Sequence, residues 1–246
     1  MPVNVLAISS SRVGNSAYLE KAVPAIREFL GDTALNIAFI PFAAASGDYH
    51  SYLQMVVHGL QQLPHRIKLA EPHNAAEVIQ AADVIMVGGG NTFKLLHDIY
   101  AHNVFDLVKQ KVLNGTPYIG WSAGANITGS TICTTNDMPI IEPESFTAFG
   151  FFPFQLNPHY INMVTEGHNG ETRDQRLEEY VMVNKDVLVV GLPEGTALLQ
   201  RSGSYTFEGL KSGVYFFNKS RKPGPYKHAL DIGTDVSNLF KQLQEF

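Results

Sequence analysis

Two kinds of apolar pattern alternate through the first half of the chain, and that alternation limits the folds open to it. Short β-rich runs stand at residues 4–9, 35–43, 65–71, 83–90 and 117–122. Between them, 16–31, 49–63, 74–82 and 92–115 carry apolar residues at helical spacing. The segment 92–115 reads as two helices or one broken helix, and Pro24 belongs in a first turn or at a kink. Strands that are apolar throughout are buried on both faces, so helices must cover both. The pattern predicts an α/β fold: a mostly parallel sheet with helices on both faces and right-handed crossovers.

The second half is less regular. Residues 134–160, rich in proline and phenylalanine, read as loop with short strands, and 172–184 as a helix. Residues 186–218 read as C-terminal strands and hairpins with glycines at the turns, and 234–246 as a closing helix. Neither repeat nor linker interrupts the pattern, so residues 1–246 are expected to form a single domain.

Composition excludes several classes. The chain is 45% hydrophobic and 17% charged, which supports a packed core. A net charge of −5 gives no basic footprint for nucleic acid. No run approaches a membrane span, and the N-terminus reads as a first strand rather than a signal peptide. The lone cysteine, Cys133, excludes an internal disulfide and a cysteine-rich zinc site; it is expected to be buried, in a cytoplasmic protein.

The run 118–127, YIGWSAGANI, places Ser122 in G-x-S-x-G at the end of an apolar strand. In that context the pattern is a nucleophile elbow, a tight strand-to-helix turn whose glycines keep side chains off neighbouring backbone. A serine hydroxyl needs a base. Of nine histidines, His159 in LNPHY is ranked first, because it ends an apolar run beside Pro158. His50, His58, His65, His73, His97 and His102 precede the elbow on helices or their margins; His168 falls in a glycine-rich loop and His228 lacks a supporting motif. The acid that would orient the imidazole is Asp137 in TTNDMP or Glu194 in LPEG. Position at a strand edge favours Glu194 and nearness to Ser122 in sequence favours Asp137, so both stand.

Oxyanion donors are expected from the amides of Ala123, after the nucleophile, and of Gly89 and Gly90 in VGGGNT. Asn91 or Thr92 can also cap the helix that follows. No Gly-Lys-Ser/Thr follows these glycines and the last glycine of G-x-G-x-x-G is missing, which disfavours nucleotide binding. Thr172 and Gln175 form a capping-box signature, with Arg173 in the first turn. A cation there opposes the helix dipole; with free helix amides it makes an anion pocket.

GGGNTF, GWSAGAN, TTNDMP, NPHY, ETRDQR and LPEG occur in the order and rough spacing of the peptidase E family of aspartyl dipeptidases, which the chain resembles over nearly its whole length. The resemblance implies a class I glutamine-amidotransferase-like fold, a flavodoxin-like three-layer architecture, with serine in place of that superfamily's cysteine. It implies cleavage of dipeptides with an N-terminal aspartate, without metal or cofactor, by Ser122 as nucleophile and His159 as base, with Asp137 or Glu194 third. Arg173 would pair with the substrate β-carboxylate, and Asn91 and Gly90 would line the same pocket. The expected partner is a small peptide, with no nucleic acid or membrane. Two rivals remain: an α/β-hydrolase-like esterase using Ser122, Asp137 and His159, and a non-catalytic binder of an acidic metabolite.

Overall fold

The computed structural model describes residues 3–163, 166–167, 169–218 and 226–244; His168 lies outside the described residues. Strands β1 (Val5–Ile8), β2 (Asn36–Ile40), β3 (Arg66–Leu69), β4 (Val84–Val87) and β5 (Tyr118–Trp121) form the parallel part of a seven-stranded sheet. Its order is β3-β2-β4-β5-β1-β8-β9, with β8 (Thr196–Arg201) antiparallel to β1, and β9 (Ser204–Gly209) antiparallel to β8. The turn between these last two passes through Ser202 and Gly203, both at positive φ, the backbone that matches the twist of a two-residue hairpin.

The pleat sorts the strand residues by parity. Leu6, Ile8, Phe39, Met86, Ile119 and Trp121 face one way, against Leu19, Ile26 of α1 (Val23–Leu30) and Val56 of α2 (Tyr49–Gly59). Val5, Ala7, Ala38, Ile40, Ile85, Val87 and Tyr118 face the other way. There they meet α3 (Ala75–Ala81), α4 (Thr92–Ala101), α5 (Phe105–Leu113) and the short α6 (Ala123–Asn126). The result is a three-layer α/β fold, as the alternating sequence pattern requires.

The second sheet was not legible as a separate unit. Its order is β11-β10-β7-β6, from β6 (Gln155–Pro158), β7 (Val189–Leu192), β10 (Gly213–Phe216) and β11 (Lys227–Leu230). Strands β6 and β7 run parallel, and Leu156, Val190 and Leu192 share the apolar core of the main sheet. Phe149, Phe151, Phe152 and Phe154 fill the same core, which accounts for the aromatic run in a segment with little regular structure. Helix α7 (Arg173–Val183) covers the second sheet through Leu177 and Val181, which pack on Val189 and Phe216. Helix α8 (Val236–Gln244) closes the described chain.

One expectation needs correction, and an alternative left open is decided. The helix expected over 16–31 begins only at Val23, because Pro24 occupies the first turn and Leu19 takes a left-handed φ of 57°. Residues 92–115 form two helices, separated at Asn103, whose φ is 55°.

Candidate active site

Five loops leave the carboxyl ends of β1, β4, β5, β6 and β7 and converge on one place, the edge where open α/β sheets bind ligands. Ser122 stands between β5 and α6 with φ 55° and ψ −114°, a conformation rare for any residue but glycine. Its amide bonds to Ile8 O at 3.1 Å, and its carbonyl accepts from Ala125 N at 3.0 Å. The flanking glycines are sterically required. A Cβ at Gly120 would lie 2.2 Å from Gly124 O, and one at Gly124 would lie 2.3 Å from Val87 O.

His159 follows β6, also in left-handed backbone, at φ 52°. Its Nε2 lies 3.0 Å from Ser122 Oγ and its Nδ1 lies 2.9 Å from Glu194 Oε1. Glu194 sits two residues past the end of β7, so parallel pairing of β6 with β7 sets imidazole and carboxylate side by side. Ser9, which no motif marked, fixes this register. It is fully buried at the end of β1; its hydroxyl donates to Leu192 O at 2.7 Å and accepts from His159 N at 3.0 Å. One side chain thus ties the main sheet to both strands of the second sheet that carry site residues.

Asp137, the other candidate acid, is bonded elsewhere. Its Oδ2 accepts from Thr92 N at 2.7 Å and Thr92 Oγ1 at 2.6 Å, at the amino end of α4. The free N–H groups and positive dipole end of a helix hold a carboxylate there. Its Oδ1 has no protein partner among the described residues, and Asp137 lines a small recess shared with Ser122, Ala123, Asn136 and His159. Asn91 caps α4 by accepting from Lys94 N at 3.0 Å and donates to Met138 O at 2.8 Å. Both ends of its amide are therefore committed, and it does not line the cavities that Ser122 lines. Gly90 does.

Arg173 opens α7 behind the capping box of Thr172 and Gln175. Its Nη1 donates to Asn136 Oδ1, while its Nε is buried without a partner among the described residues. Burial, with Arg176 beside it, lowers its pKa from the usual guanidinium value. A cavity of about 370 Å³ contains Arg173, Thr135, Asn136 and Asp137, the last three of which also line the recess at Ser122. On the opposite side of Ser122 lies a cavity of about 570 Å³, lined by Tyr18, Tyr52, Asp48, Gly89, Gly90 and His159 among others. Cys133, expected to be buried, is exposed at the rim of the Arg173 cavity.

The amides of Gly89, Gly90 and Ala123 donate to no protein acceptor among the described residues, whereas Gly88 N and Asn91 N are bonded to Ile40 O and Ala43 O. A Cβ at Gly89 would come within 2.8 Å of Ser122 Cβ, so the glycine lets this turn approach the serine. Among the described residues, no group of three or more His, Cys, Asp or Glu side chains is placed to hold a metal ion. None of the described helices is long and apolar enough to cross a membrane.

A serine, histidine and carboxylate hydrogen-bonded in series above the carboxyl edge of an α/β sheet is the arrangement of nucleophilic serine hydrolases. Comparison with known proteins narrows the class. The model of peptidase family S51 matches residues 5–207, and the chain belongs to that family of serine peptidases. It is 47% identical to peptidase E of Shewanella sp. (strain W3-18-1) over 98% of this chain and all of that one. With peptidase E of Shewanella putrefaciens it shares 46% over the same proportions. The crystal structure of a peptidase from an acI-B1 Actinobacterium superposes with a TM-score of 0.59 at 18% identity, covering 95% of this chain and 96% of that one. A Listeria monocytogenes EGD-e protein provisionally named peptidase E gives 0.66 at 22% identity, covering 85% and 100%.

Proposed function

We propose that this serine peptidase removes aspartate from the amino terminus of Asp-X dipeptides through an acyl-enzyme. The observation that carries the reading is Arg173. Its guanidinium is partly buried, its Nε has no partner among the described residues, and its cavity shares Asn136 and Asp137 with the recess beside the Ser122–His159 pair. A substrate β-carboxylate in that cavity would pair with the guanidinium charge. Asp137 was one of two acids considered for His159; with its Oδ1 unpaired in the intervening recess, it suits the substrate's α-ammonium group instead. Arg173 and Asp137 would then read the two charges of an N-terminal aspartyl residue, and the leaving residue would occupy the 570 Å³ cavity.

In this mechanism His159 Nε2 accepts the proton of Ser122 Oγ as the hydroxyl attacks the scissile carbonyl. Glu194 accepts the Nδ1–H hydrogen bond and faces the imidazolium that forms. The N–H groups of Ala123 and Gly90 receive the oxyanion. His159 then protonates the departing amine, and water, activated by the same imidazole, cleaves the aspartyl ester. An exposed, unpaired thiol at Cys133 fits a reducing compartment, so the proposed site of action is the cytoplasm. An esterase using Asp137 as third member is disfavoured, because that carboxylate is committed to Thr92. A binding module would have no use for the Ser122–His159–Glu194 series.

Steady-state hydrolysis of Asp-Leu, Asn-Leu and Leu-Leu by wild type, Ser122→Ala and Arg173→Ala tests the reading. Ser122→Ala should abolish turnover with the fold intact. Removing one partner of a buried charged pair costs roughly 2 kcal/mol or more, so Arg173→Ala should lose about 30-fold or more in kcat/KM on Asp-Leu. An equal loss on all three substrates would make Arg173 structural and overturn the assignment.

A further inference from the structure

Trp121, the residue before the nucleophile, begins a chain of hydrogen bonds that ends on the glycine turn opposite. Its Nε1 donates to Tyr18 Oη at 2.9 Å, Tyr18 Oη donates to Tyr52 Oη at 3.1 Å, and Tyr52 Oη donates to Gly89 O at 2.9 Å. The direction is fixed by the ends. An indole N–H can only donate and a carbonyl oxygen can only accept, so each phenol between them passes its hydrogen forward. Hydrogen bonds aligned head to tail polarise one another. Burial, and then Tyr18 beside it, push the Tyr52 phenol far above its ordinary pKa, so it remains a donor at working pH.

The target of the chain is a peptide unit. Gly89 O and the N–H of Gly90 belong to the same plane and point in opposite directions. The turn is anchored on either side by Gly88 N and Asn91 N, but among the described residues the Gly89–Gly90 unit has one hydrogen bond, the one from Tyr52. Gly90 has φ 139°, open only to glycine, and its Cα packs against Ala43 so closely that a Cβ would lie 2.2 Å from Ala43 O. Two adjacent glycines confer freedom that a preorganised oxyanion site cannot tolerate. The Tyr52 ring is itself held edge-on to Phe39, with centroids 5.0 Å apart, and Phe39 stacks on Trp121 at 5.9 Å.

We infer that Tyr52 is a positioning residue for catalysis: its hydroxyl fixes the plane of the Gly89–Gly90 peptide, and the Trp121–Tyr18–Tyr52 relay couples that plane to the Ser122 elbow, aiming the Gly90 N–H at the developing oxyanion. The inference rests on the reading of Ser122 as nucleophile. Tyr52→Phe keeps the ring and its packing on Phe39 while removing the donor. Tyr18→Phe leaves the bond to Gly89 but removes the donor behind it.

The test measures kcat and KM on Asp-Leu, and the rate of labelling by a fluorophosphonate, whose phosphoryl oxygen occupies the oxyanion position. Losing an oxyanion donor outright costs roughly 100- to 1,000-fold, and loosening one costs less. Tyr52→Phe should lose about 10- to 50-fold in kcat with KM within twofold of wild type, and labelling should slow by a similar factor. Tyr18→Phe should lose about threefold in both. A Tyr52→Phe enzyme with unchanged kcat, or one that loses only in KM, overturns the proposal and leaves Tyr52 as a wall of the cavity. Should Tyr52→Phe fail to fold, unchanged labelling and kcat in Tyr18→Phe would overturn the relay. A wild-type enzyme that the probe does not label at Ser122 would remove the nucleophile reading and the relay with it.

Discussion

Replacing Glu194 by glutamine distinguishes the two carboxylates. The side chains of His159 and Glu194 are 41% and 47% exposed, and their contact is a single bond of 2.9 Å from Nδ1 to Oε1. No other side-chain bond holds Glu194 among the described residues. A carboxamide there can therefore turn its oxygen toward Nδ1–H, preserving the tautomer whose Nε2 accepts the Ser122 proton. The negative charge opposite the forming imidazolium is lost. Two unit charges about 4 Å apart attract by about 1 kcal/mol in water and about 4 kcal/mol at an effective dielectric of 20. For a half-exposed pair we take about 2 kcal/mol, which is roughly 30-fold in rate. Stopped or continuous assay of Asp-Leu hydrolysis at neutral pH should show Glu194→Gln about 30-fold down in kcat with KM near wild type. Asp137→Asn, assayed alongside, should act mainly on KM, through the substrate's ammonium group. A loss near 10⁴-fold in Glu194→Gln would mean the amide turns its NH2 toward Nδ1 and holds the imidazole in the wrong tautomer. Full activity there, with a large kcat loss in Asp137→Asn, would refute the assignment.

The elbow and a helix-borne ion pair give further expectations. Holding a non-glycine residue at the Ser122 dihedrals of 55° and −114° costs on the order of 1–3 kcal/mol, partly offset in glycine by its greater unfolded-state entropy. Ser122→Gly should melt about 2–4 °C above Ser122→Ala, which keeps the strain, and equal midpoints would show that the turn is unstrained. Asp98 is half-buried against Lys94 and His97. Burial raises its pKa, but hydrogen bonds from both neighbours prevail and hold it below 3.8. A carboxylate with a depressed folded pKa stabilises the fold fully above its unfolded value, and that stabilisation fades as pH falls through the folded value. Urea midpoints of wild type and Asp98→Asn should therefore differ most near neutral pH and draw together as pH falls through the carboxylate range; a constant gap would exclude the linkage.

What could be read from the chain depended on how local each constraint is. The parallel sheet was legible because β–α alternation is written in the period of consecutive residues, and Ser122 because glycines flank it at 120 and 124, the first of them answering a contact within the turn itself. The choice between Asp137 and Glu194 was not legible, since both lie in polar loops after apolar runs. It turns on which loop a strand pairing delivers to His159. Parallel pairing of Leu156 with Val190 and Pro158 with Leu192 brings Glu194 across, while Thr92 removes Asp137 from the contest. The second sheet escaped notice for the same reason: its parallel pair joins strands that 30 residues separate, with α7 between them.

Ser9 shows why some site residues leave no local signature at all. Two further serines follow it in sequence, and alone it reads as a strand end. Its role comes from position 150 residues away from the backbone amide it accepts and 183 from the carbonyl it contacts. Ser122 hangs on the main sheet through its amide and Ile8 O, while His159 and Glu194 hang on the second sheet. A serine–histidine distance of 3.0 Å thus depends on how two sheets are docked, and a buried hydroxyl at the end of β1 is where that docking is hydrogen-bonded.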